Sequence, residues 1–494
     1  MNSFAKKAIK KKSENIAEWY NDIVLNAELA DYGPAKGTMV IRPYGFALWE
    51  KIQQVLDKKF KEYGVQNAYF PLFIPHSLLE KEKEHVKGFA PELAIVTHGG
   101  GEKLAEPLVV RPTSETIMYH MYAKWISSWR DLPMLINQWN NVVRWEMRTY
   151  LFLRTTEFLW QEGHTAHETN ADATKMQEEA LEWYRQAYED YYAMPVITGT
   201  KSKKERFAGA NTTYTVEALM PDGKALQGAT SHNLGQNFSK PFGISFQNRE
   251  GKPDFVWQTS WGFSTRSLGG LFLVHGDDNG LVLPPKMAPI KMVIIPIFGK
   301  DDEKVLDFCK KIKTEAESAL KNTDFEGKIE IWDNPEKTTG WKLNQAELKG
   351  ICLTTRIGLR EVEESNLLLK TRLSFEATDE RVKERQVPVD QVGKNALELL
   401  ENLQKYLYEK AKEFTDKRTY VLDEYDEFKK VMSGSETRGF IKAFWCEDET
   451  CEVKIKEETK ASTRALPFNA PEEAGKCIYC GKEAKHRWYF AQAY

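Results

Sequence analysis

The sequence predicts an α+β protein: an antiparallel sheet flanked by helices, then a small α/β domain and a small α+β tail that carries cysteines. Two helical patterns fill most of the N-terminal region, β-type runs between Gly and Asn turns follow at 211–283, and strand and helix patterns alternate at 286–371. Segregated helices and strands are typical of α+β domains, and regular alternation is typical of α/β domains. At roughly 100–200 residues per domain, the 494 residues predict about three domains, which we place at 1–285, 286–395 and 396–494.

The first domain begins with helices. Ser13 is an N-cap candidate for the first, and Pro43 suits the first turn of the second, whose apolar residues recur on one face. The expected elements are, in order, helices at 13–27 and 43–63, a proline-interrupted strand at 67–75, two strands around a basic loop at 134–167, a helix at 171–193 and the β-type runs at 211–283.

The second and third domains are distinguished by their patterns. The second is expected to contain strands at 286–298, 328–333, 351–357 and 366–371 and helices at 301–322 and 341–349. The third is expected to begin near Asp390 with a long charged helix and to end in a tail that contains four cysteines.

Composition and net charge limit the binding partners and the cellular location that we expect. The 69 basic and 72 acidic residues leave a net charge of -3, so bulk charge gives no sign of a polyanionic partner. Mean hydropathy is -0.54, and no apolar run approaches the roughly 18–20 residues that cross a bilayer. The lysine-rich N-terminus lacks the apolar stretch of a signal peptide. We expect a cytoplasmic protein with no membrane partner.

Four of the six cysteines form two close pairs near the C-terminus, Cys446-x4-Cys451 and Cys477-x2-Cys480. Each short pair can supply two corners of a tetrahedron, so the spacing predicts a structural Zn²⁺ site with four thiolate ligands. The alternatives are disulfides or unrelated thiols. Disulfides are disfavoured because the sequence has no secretion signal.

Several sequence blocks resemble a known family. The chain has no G-x-x-x-x-G-K-[ST] loop, so any ATP site must use another scaffold. The blocks MVIRPYGFALWEKIQ (39–53), NVVRWE (141–146) and TSWGFSTRSLGGLFLVHGDDNGLVLPP (259–285) resemble the three ordered motifs of class II aminoacyl-tRNA synthetases. RPTSE (111–115), FLWQEGH (158–164) and LQGATSHNLGQNF (226–238) resemble the prolyl-tRNA synthetase family more narrowly.

The resemblance extends over nearly the whole chain and implies a reaction. Members of the family activate L-proline with ATP, accompanied by Mg²⁺, and transfer it to the 3′ end of tRNA(Pro). Motif 1 forms the dimer contact in the family, so a homodimer is expected. The cysteine-bearing tail resembles the archaeal/eukaryotic-like branch, and too few residues separate His164 from Gln258 to contain the usual bacterial editing insertion.

Three arginines are expected to carry the activation step. Arg144 can bridge the amino-acid carboxylate and a phosphate oxygen, because a guanidinium presents several planar donors. The alternative is a strand arginine paired with Glu146 at the surface. The resemblance implies that Arg154 and Arg266 contact the ATP phosphates. It also implies nucleotide contacts for Gln227, Thr230, Ser264 and Thr265.

Proline presents a charged secondary ammonium and a small apolar ring. Thr113 and Glu115, two residues apart on an extended segment, can point the same way and accept from the two N–H groups. His232 is a further polar candidate. By resemblance, the ring pocket includes Phe89, Trp160 and Phe207, with Glu162 and His164 ordering its floor; for the aromatic residues, ordinary core packing is the alternative.

The chain departs from the family in the loop after motif 2, where Leu151 and Thr156 replace a proline and an arginine. Contacts of this loop with the tRNA acceptor end are therefore in doubt. In the middle domain, NQAELKG and TTRIG place Glu347 and Arg356 where the family reads anticodon guanines. Surface charge is the alternative for both.

Two rival functions remain at this stage. One is a synthetase-like protein that binds RNA without catalysis, whose usual sign is loss of the motif 2 or motif 3 arginine. The other is a ligase that loads an amino acid onto a carrier protein, which is expected to lack the anticodon-like domain. The presence of Arg144, Arg266 and the middle domain favours a proline–tRNA ligase.

Overall fold

The computed structural model describes residues 9–79, 93–377 and 380–494. The strands are β1 Ala30–Tyr32, β2 Met39–Ile41, β3 Gln66–Asn67, β4 Phe73–Pro75, β5 Ala94–Gly99, β6 Glu102–Val110, β7 Met134–Val143, β8 Glu157–His167, β9 Ile197–Thr200, β10 Thr212–Leu219, β11 Ala225–Gly235, β12 Ser245–Gln247, β13 Pro253–Phe255, β14 Trp257–Ser264, β15 Ile290–Pro296, β16 Lys328–Ile331, β17 Leu353–Ile357, β18 Asn366–Ala377, β19 Glu380–Pro388, β20 Thr419–Val421, β21 Phe440–Phe444, β22 Ala461–Pro467, β23 Gly475–Lys476, β24 Glu483–Ala484 and β25 Arg487–Gln492. The α-helices are α1 Ile16–Asn26, α2 Pro43–Tyr63, α3 His76–Leu79, α4 Glu115–Trp125, α5 Asn170–Gln186, α6 Ser239–Phe242, α7 Arg266–His275, α8 Asp302–Leu320, α9 Thr339–Leu348, α10 Leu359–Glu364, α11 Val392–Lys417, α12 Tyr425–Ser433 and α13 Glu449–Thr459.

The central feature is an 11-stranded sheet in the order β20-β21-β25-β22-β9-β10-β11-β14-β8-β7-β3. Its strands pair antiparallel except at β3–β7 and β20–β21. The expected antiparallel sheet with flanking helices is therefore confirmed. The four strands β20, β21, β25 and β22 come from the C-terminal region, which continues the central sheet through the β22–β9 pair.

Helices α2 and α5 cover one face of the sheet. Trp49 and Phe60 from α2 and Trp183 from α5 join Trp261 and Phe263 of β14 in one buried cluster. Burying large aromatic side chains contributes roughly 1.5–3 kcal/mol each, so this face forms the main core. The opposite face of the central strands is left for the cavity described below.

Most expected elements of the first region are observed, with several corrections. The strand expected at 67–75 is two short strands, β3 and β4. The helix expected at 171–193 is α5, which ends at Gln186 and is followed by a π-helical turn over Ala187–Tyr191. Glu115, expected on an extended segment, begins α4. The helix expected at 13–27 begins later, because the side chain of Asn15 rather than Ser13 accepts from the backbone of Ala17 and Glu18. Residues 266–275, expected within the β-type runs, form α7. The short apolar run of this segment fits either structure, which is why periodicity alone misassigned it.

The second region is a five-stranded sheet, β16-β15-β17-β18-β19, covered by α8 and α11. Strand β15 pairs parallel with β16 and β17, and the pairs β17–β18 and β18–β19 are antiparallel. Helix α11 crosses the boundary expected at 395, and its Leu399 and Leu403 share a buried cluster with Val305 and Ile312 of α8. By packing, the start of α11 belongs to the second region. Among the described residues, no helix combines the length and apolar character needed to cross a bilayer.

Candidate active site

A cavity of about 350 Å³ opens on the uncovered face of the central sheet. The predicted residues that line it are Thr113, Glu115, Arg144, Arg154, Trp160, Glu162, His164, Phe207, Gln227, Thr230, His232, Ser264 and Arg266. Thr265 is buried behind the lining at the start of α7. Phe89 lies outside the described residues. The structure thus brings together side chains that are up to 153 positions apart in the chain, from Thr113 to Arg266.

Strand periodicity explains which side chains reach the cavity. On β8, Trp160, Glu162 and His164 alternate with Gln161, whose amide oxygen instead accepts from Tyr184 of α5, 2.6 Å away. On β14, Gly262 pairs with Glu162 and also lines the cavity. Since Gly262 has no side chain, the space beside the Trp160 ring stays open, where a Cβ would lie 3.6 Å from the ring.

The residues Thr113, Glu115, Glu162 and His164 form one end of the cavity, called here the acid end. Thr113 Oγ1 donates to Glu115 and lies 3.4 Å from Glu162 Oε2. Glu115 is the first residue of α4, where the helix dipole favours a negative charge. The acid end therefore offers the Thr113 hydroxyl and the Glu115 carboxylate to a small cationic group, with the Glu162 carboxylate beside them.

Glu162 and His164 form a buried ion pair, with Nε2 3.1 Å from Oε2. Burial would raise the pKa of Glu162, but His164 and the hydrogen bonds from Ser114 and Asn140 hold this pKa below its usual value. Burial would lower the pKa of His164, but Glu115 and Glu162 raise it above its usual value. Each group of the pair therefore favours the charged form of the other.

Three residues of this network were missed by the sequence reasoning. Ser114 donates its backbone N–H to Glu162 Oε2 (3.0 Å) and its hydroxyl to Oε1. Asn140 Nδ2 donates to the same Oε1 (2.6 Å), and Tyr119 Oη lies 3.2 Å from His164 Nδ1. Asn140 could have been predicted from the sequence, because it lies on an expected strand and is paired with Trp160 in the β7–β8 ladder. Tyr119 offered no sequence signal.

Glu115, Glu162 and His164 also place three possible ligand atoms within 4.8 Å of one another. Proximity alone does not make this a metal site. The Glu162 oxygens already accept from Ser114, Asn140 and His164, so the group is a hydrogen-bonded network whose lone pairs are largely occupied.

The opposite end of the cavity, called here the arginine end, contains Arg154 and Arg266, and Arg144 lies at its border with the acid end. Arg144 Nε donates to the carbonyl oxygen of Pro112 (3.0 Å), and its guanidinium lies 5.2 Å from the ring centre of Trp160. These contacts hold Arg144 between the two ends of the cavity. Its surface alternative, an ion pair with Glu146, finds less support, because Glu146 lies 3.4 Å from Arg154.

Arg266 is fixed at the start of α7 by a hydrogen bond from Nε to the Leu153 carbonyl oxygen (3.0 Å). Burial, followed by the charges of Arg144 and Arg154, lowers the pKa of Arg266. Three arginines line one concave site, and Arg144 and Arg154 disfavour the charged form of the buried Arg266. Such a site is suited to a polyanion.

One further wall of the cavity is aromatic. The ring of Phe207 stacks on His232 with centroids 4.6 Å apart, and Thr213 Oγ1 lies 3.0 Å from His232 Nδ1. Across the sheet, His232 pairs with Ser260, which in turn pairs with His164. Phe207 and His232 therefore belong to the acid end.

The loop residues that depart from the family are buried. Leu151 is 3% exposed and Thr156 is 5% exposed. Thr156 donates its backbone N–H to the carbonyl oxygen of Gly37 (2.8 Å). Both side chains therefore pack inside the protein and not on its surface.

The four C-terminal cysteines converge as predicted. Cys446 Sγ lies 3.7 Å from Sγ of Cys451 and 3.7 Å from Sγ of Cys480, and all four sulfurs lie within 4.8 Å of one another. A tetrahedral Zn²⁺ with Zn–S bonds of about 2.3 Å separates its sulfurs by about 3.8 Å. Backbone N–H groups two residues after Cys446 and Cys480 point at their sulfurs. The donor set fits zinc.

The two residues expected at the anticodon lie on separate elements. Glu347 is near the end of α9, where Asn279 donates to it (3.3 Å) and its backbone carbonyl accepts from Arg372 (3.0 Å). These contacts place it at the junction with the first region. Arg356 is exposed on β17. Their role in anticodon reading stays a prediction.

Known proteins share this architecture. Residues 101–273 match the family described as "tRNA synthetase class II core domain (G, H, P, S and T)". An antiparallel sheet with an arginine-rich cavity on one face, and no glycine-rich phosphate loop, is the catalytic core of this class. The fold and the cavity thus define a class II aminoacyl-tRNA synthetase.

Closer relatives narrow the class. Residues 425–494 match the family described as "Prolyl-tRNA synthetase, C-terminal". Proline--tRNA ligase 2 of Bacillus cereus is 50% identical over 487 residues, 99% of this chain and 98% of that protein. Proline--tRNA ligase of Acetoanaerobium sticklandii is 49% identical, again over 99% and 98%. A crystal structure of prolyl-tRNA synthetase from Cryptosporidium parvum complexed with halofuginone and AMPPNP superposes with a TM-score of 0.91 at 38% identity, covering 100% of this chain and 99% of that one. The chain belongs to the prolyl-tRNA synthetase family.

Proposed function

We propose that the cavity binds L-proline at the acid end and ATP at the arginine end, and joins them as prolyl-adenylate. As a member of its family, the chain is a proline–tRNA ligase. The observation that carries the assignment of the cavity is the meeting of a compact acidic cluster and three arginines in one space. The first matches a small cation, and the second matches a polyanion.

Proline recognition is assigned to Thr113 and Glu115, which accept from its ammonium group, and to the floor built by Glu162 and His164. Trp160, Phe207 and His232 enclose the ring. Because an apolar pocket distinguishes one methylene by only roughly 1–3 kcal/mol, activation of some alanine or cysteine is expected.

Activation needs no nucleophile or general base from the protein. The proline carboxylate attacks the α-phosphorus of ATP, and pyrophosphate leaves. Arg144 is placed to hold the attacking carboxylate and an α-phosphate oxygen together, which offsets their repulsion and aligns them. Arg154 and Arg266 are assigned to the outer phosphates. Mg²⁺ is expected to enter with ATP as a phosphate counter-ion.

The remaining nucleotide contacts are assigned by position. Gln227 and Thr230 lie on β11, and Ser264 lies at the end of β14 beside Arg266. Thr265, behind the lining, has a buried hydroxyl oxygen without a hydrogen-bond partner in the described structure, and its contact with the nucleotide stays a prediction. The C. parvum relative, whose crystal structure contains AMPPNP, supports a nucleotide site in this fold.

Transfer completes the reaction: the terminal ribose hydroxyl of tRNA(Pro) attacks the carbonyl carbon of prolyl-adenylate, and AMP leaves. We assign anticodon binding to the second region, with Glu347 and Arg356 as the proposed contacts, and catalysis to residues 1–285. The enzyme is expected to work in the cytoplasm, where tRNA and ATP are available, and the archaeal/eukaryotic-like branch stays a prediction.

A homodimer through the motif 1 region is part of the proposal. Tyr32, Val40 and Phe46 are 54%, 51% and 37% exposed on the β1–β2 hairpin and α2. Tyr32 pairs with Met39 and Val40 pairs with Asp31, so Tyr32 and Val40 lie on opposite faces of the hairpin. The proposal therefore rests on the family's use of motif 1 and not on one apolar patch. Sedimentation of the full chain at micromolar concentration tests this, and a monomer would contradict it.

Zinc is assigned to Cys446, Cys451, Cys477 and Cys480 as a closed structural site that supplies folding energy to the C-terminal region. The measurement is a metal count on purified protein, expected to be near one zinc per chain. A count near zero with four titratable thiols would refute the site.

Proline-dependent exchange of pyrophosphate into ATP tests the main proposal, with tRNA charging as the second readout. Exchange with proline and charging of tRNA(Pro) are expected. Exchange without charging would favour the carrier-loading ligase. The absence of both exchange and charging would favour a non-catalytic RNA-binding protein. Stronger exchange with another amino acid would contradict the assignment of the acid end.

A further inference from the structure

The segment Thr200–Phe207, called here the wall segment, connects β9 to the aromatic wall of the cavity. Glu205, Arg206 and Phe207 line the cavity. Both ends of the segment are tied to one residue of β10: Lys201 donates its N–H to the Thr213 carbonyl oxygen (2.8 Å), and Phe207 donates its N–H to Thr213 Oγ1 (3.1 Å). The residues between these ties have no strand partner.

The middle of the wall segment has two contacts within the catalytic region: the Glu205 N–H donates to Ser202 Oγ (3.2 Å), and Arg206 Nη1 donates to the Asn211 carbonyl oxygen (2.7 Å). Its other contacts come from the C-terminal region. Ser202 Oγ donates to Glu452 Oε1 (3.0 Å), and Lys204 Nζ lies 3.6 Å from Glu449 Oε1. Lys456 Nζ lies 3.2 Å from Glu205 Oε1. These last three contacts are all made by helix α13.

The three α13 residues are spaced as one helical face. Glu449, Glu452 and Lys456 are separated by three and then four positions, which places them on the same side of a helix. One face of α13 is therefore directed at the wall segment. Cys451, one of the four clustered cysteines, lies on the same helix, so the helix is anchored at its first turns.

A second link is fully buried. Arg464 of β22 donates from Nε (3.0 Å) and Nη2 (2.7 Å) to Glu217 Oε2 on β10. Lys201 Nζ donates to the other oxygen of Glu217 at 2.8 Å. Glu217 is 0% exposed, Lys201 2% and Arg464 5%. The C-terminal region thus places a charged side chain inside the catalytic sheet, next to the strand that carries Thr213.

We propose that the C-terminal region is a positioning element for the acid end of the active site, with Arg464 and Lys456 holding the wall segment so that Phe207 stacks on His232. Arg464 and Lys456 touch no substrate. They act through the wall segment. Substituting either residue is therefore expected to change the proline KM more than kcat. The inference rests on the proposed assignment of the acid end to proline.

The first experiment compares two charge reversals on one helix, Lys456→Glu and Lys454→Glu. Both lysines are about half exposed, but Lys454 pairs with Glu457 of α13 itself. Lys456→Glu places two carboxylates together and is expected to raise the proline KM roughly two- to fivefold, the range of an exposed ion pair. The ATP KM and kcat are expected to stay at wild-type values. Lys454→Glu is expected to leave all three constants unchanged.

The second experiment compares Arg464→Met with Arg487→Met, in two strands of the same C-terminal region. Arg487 pairs with Asp423 and Glu473, both in that region. Arg464→Met is expected to raise the proline KM roughly tenfold or more, because small displacements of binding groups have large effects. Arg464→Lys is expected to restore most of the affinity. Arg487→Met is expected to keep the wild-type KM.

Hydrogen exchange supplies a readout apart from activity: amides of 201–207 are expected to exchange faster in Lys456→Glu, and amides of β7 are not. An unchanged proline KM in Lys456→Glu would overturn the proposal, as would a lowered kcat with unchanged KM in a folded Arg464→Met. If Arg464→Met fails to fold, Lys456→Glu decides. Wild-type protein without proline-dependent exchange would instead contradict the proposed function.

Discussion

The two ends of the cavity hold their charged side chains in opposite ways. At the acid end, the Glu162 carboxylate is paired with His164 and accepts hydrogen bonds from Ser114 and Asn140 before any ligand arrives. At the arginine end, Arg144 and Arg154 destabilise the charged form of Arg266. At the acid end, the charge of Glu162 is paired within the protein. At the arginine end, the positive charge is balanced only when an anionic ligand binds.

The difference follows from the size and charge of what each end is proposed to bind. A small cation is recognised by groups already fixed in place, because any rearrangement would cost a large part of its limited binding energy. A polyanion brings enough charge to offset the repulsion among three arginines. The following predictions test this contrast, from the largest expected effect to the smallest.

Arg144 lies between the two ends, so its loss should affect both. We expect Arg144→Ala to lower proline-dependent exchange by roughly 10²–10³-fold, the usual effect of removing a donor aligned with a transition state. Exchange kinetics provide the measurement, with folding checked by circular dichroism. Arg148→Ala, an exposed arginine of the same loop outside the cavity lining, is the control and should keep full activity. Retained exchange in Arg144→Ala would contradict the assigned role.

Arg266 tests the arginine end alone. We expect Arg266→Met to raise the ATP KM roughly 10- to 100-fold and to leave the proline KM unchanged, because the acid end does not depend on it. The same substitution should stabilise the empty protein relative to the ATP complex, since one cation of the repelling group is gone. Thermal unfolding with and without ATP measures this. Arg249→Met, whose partner is Glu168 outside the cavity lining, serves as the matched control.

Glu162 tests the acid end alone. In Glu162→Gln the buried imidazolium of His164 loses its paired carboxylate, and breaking a buried pair costs about 3 kcal/mol of unfolding free energy. We expect the proline KM to rise roughly tenfold while the ATP KM stays the same. Urea unfolding and exchange kinetics measure the two effects. An equal rise in both KM values would show that the two ends are not independent.

The pH dependence of stability gives the smallest effect. The pKa of His164 is raised above its ordinary 6.5, so its stabilisation is present below pH 6.5 and is lost as the pH rises through the raised pKa. The pKa of Glu162 is held below its ordinary 4.5, so its stabilisation is present above pH 4.5 and is lost as the pH falls through the lowered pKa. The ion pair is therefore complete between these values.

Urea unfolding of wild type and His164→Gln at several pH values measures this window. The difference in unfolding free energy should be largest at about pH 5–6 and smaller at about pH 9. His98→Gln, at an exposed position on β5, should show a difference that does not vary with pH. A constant difference for His164→Gln would show that His164 is not charged in the folded state.

Much of the fold and of the cavity lining followed from local patterns. The helix expected at 43–63 is observed as Pro43–Tyr63, because a proline at its first turn and a glycine in left-handed conformation after it fix both ends. The family and the enzyme class are confirmed, and the predicted lining residues do line the cavity, except Thr265 and the undescribed Phe89. Their individual roles stay predictions.

The incorrect and missing predictions have one cause, which is packing between residues far apart in the sequence. Residues 266–275 carry an apolar run that suits a buried strand or a buried helix, and only packing against the sheet decides for the helix. Tyr119 reaches His164 from another element, and the boundary expected at 395 falls within α11 because that helix packs back onto α8. None of these contacts is encoded by neighbouring residues.

The sequence by itself determined which side of each strand or helix a residue occupies, and which blocks carry the motifs of the family. It also determined that four cysteines are spaced for a metal. Only the tertiary structure decided which of these faces meet. The near-neutral net charge gave no sign of the three arginines that share the cavity or of the two buried carboxylates, Glu115 and Glu162. It also gave no sign of the charged face of α13 that contacts the wall segment. Periodicity is a local property of the chain, whereas the meeting of faces depends on packing between residues far apart in sequence.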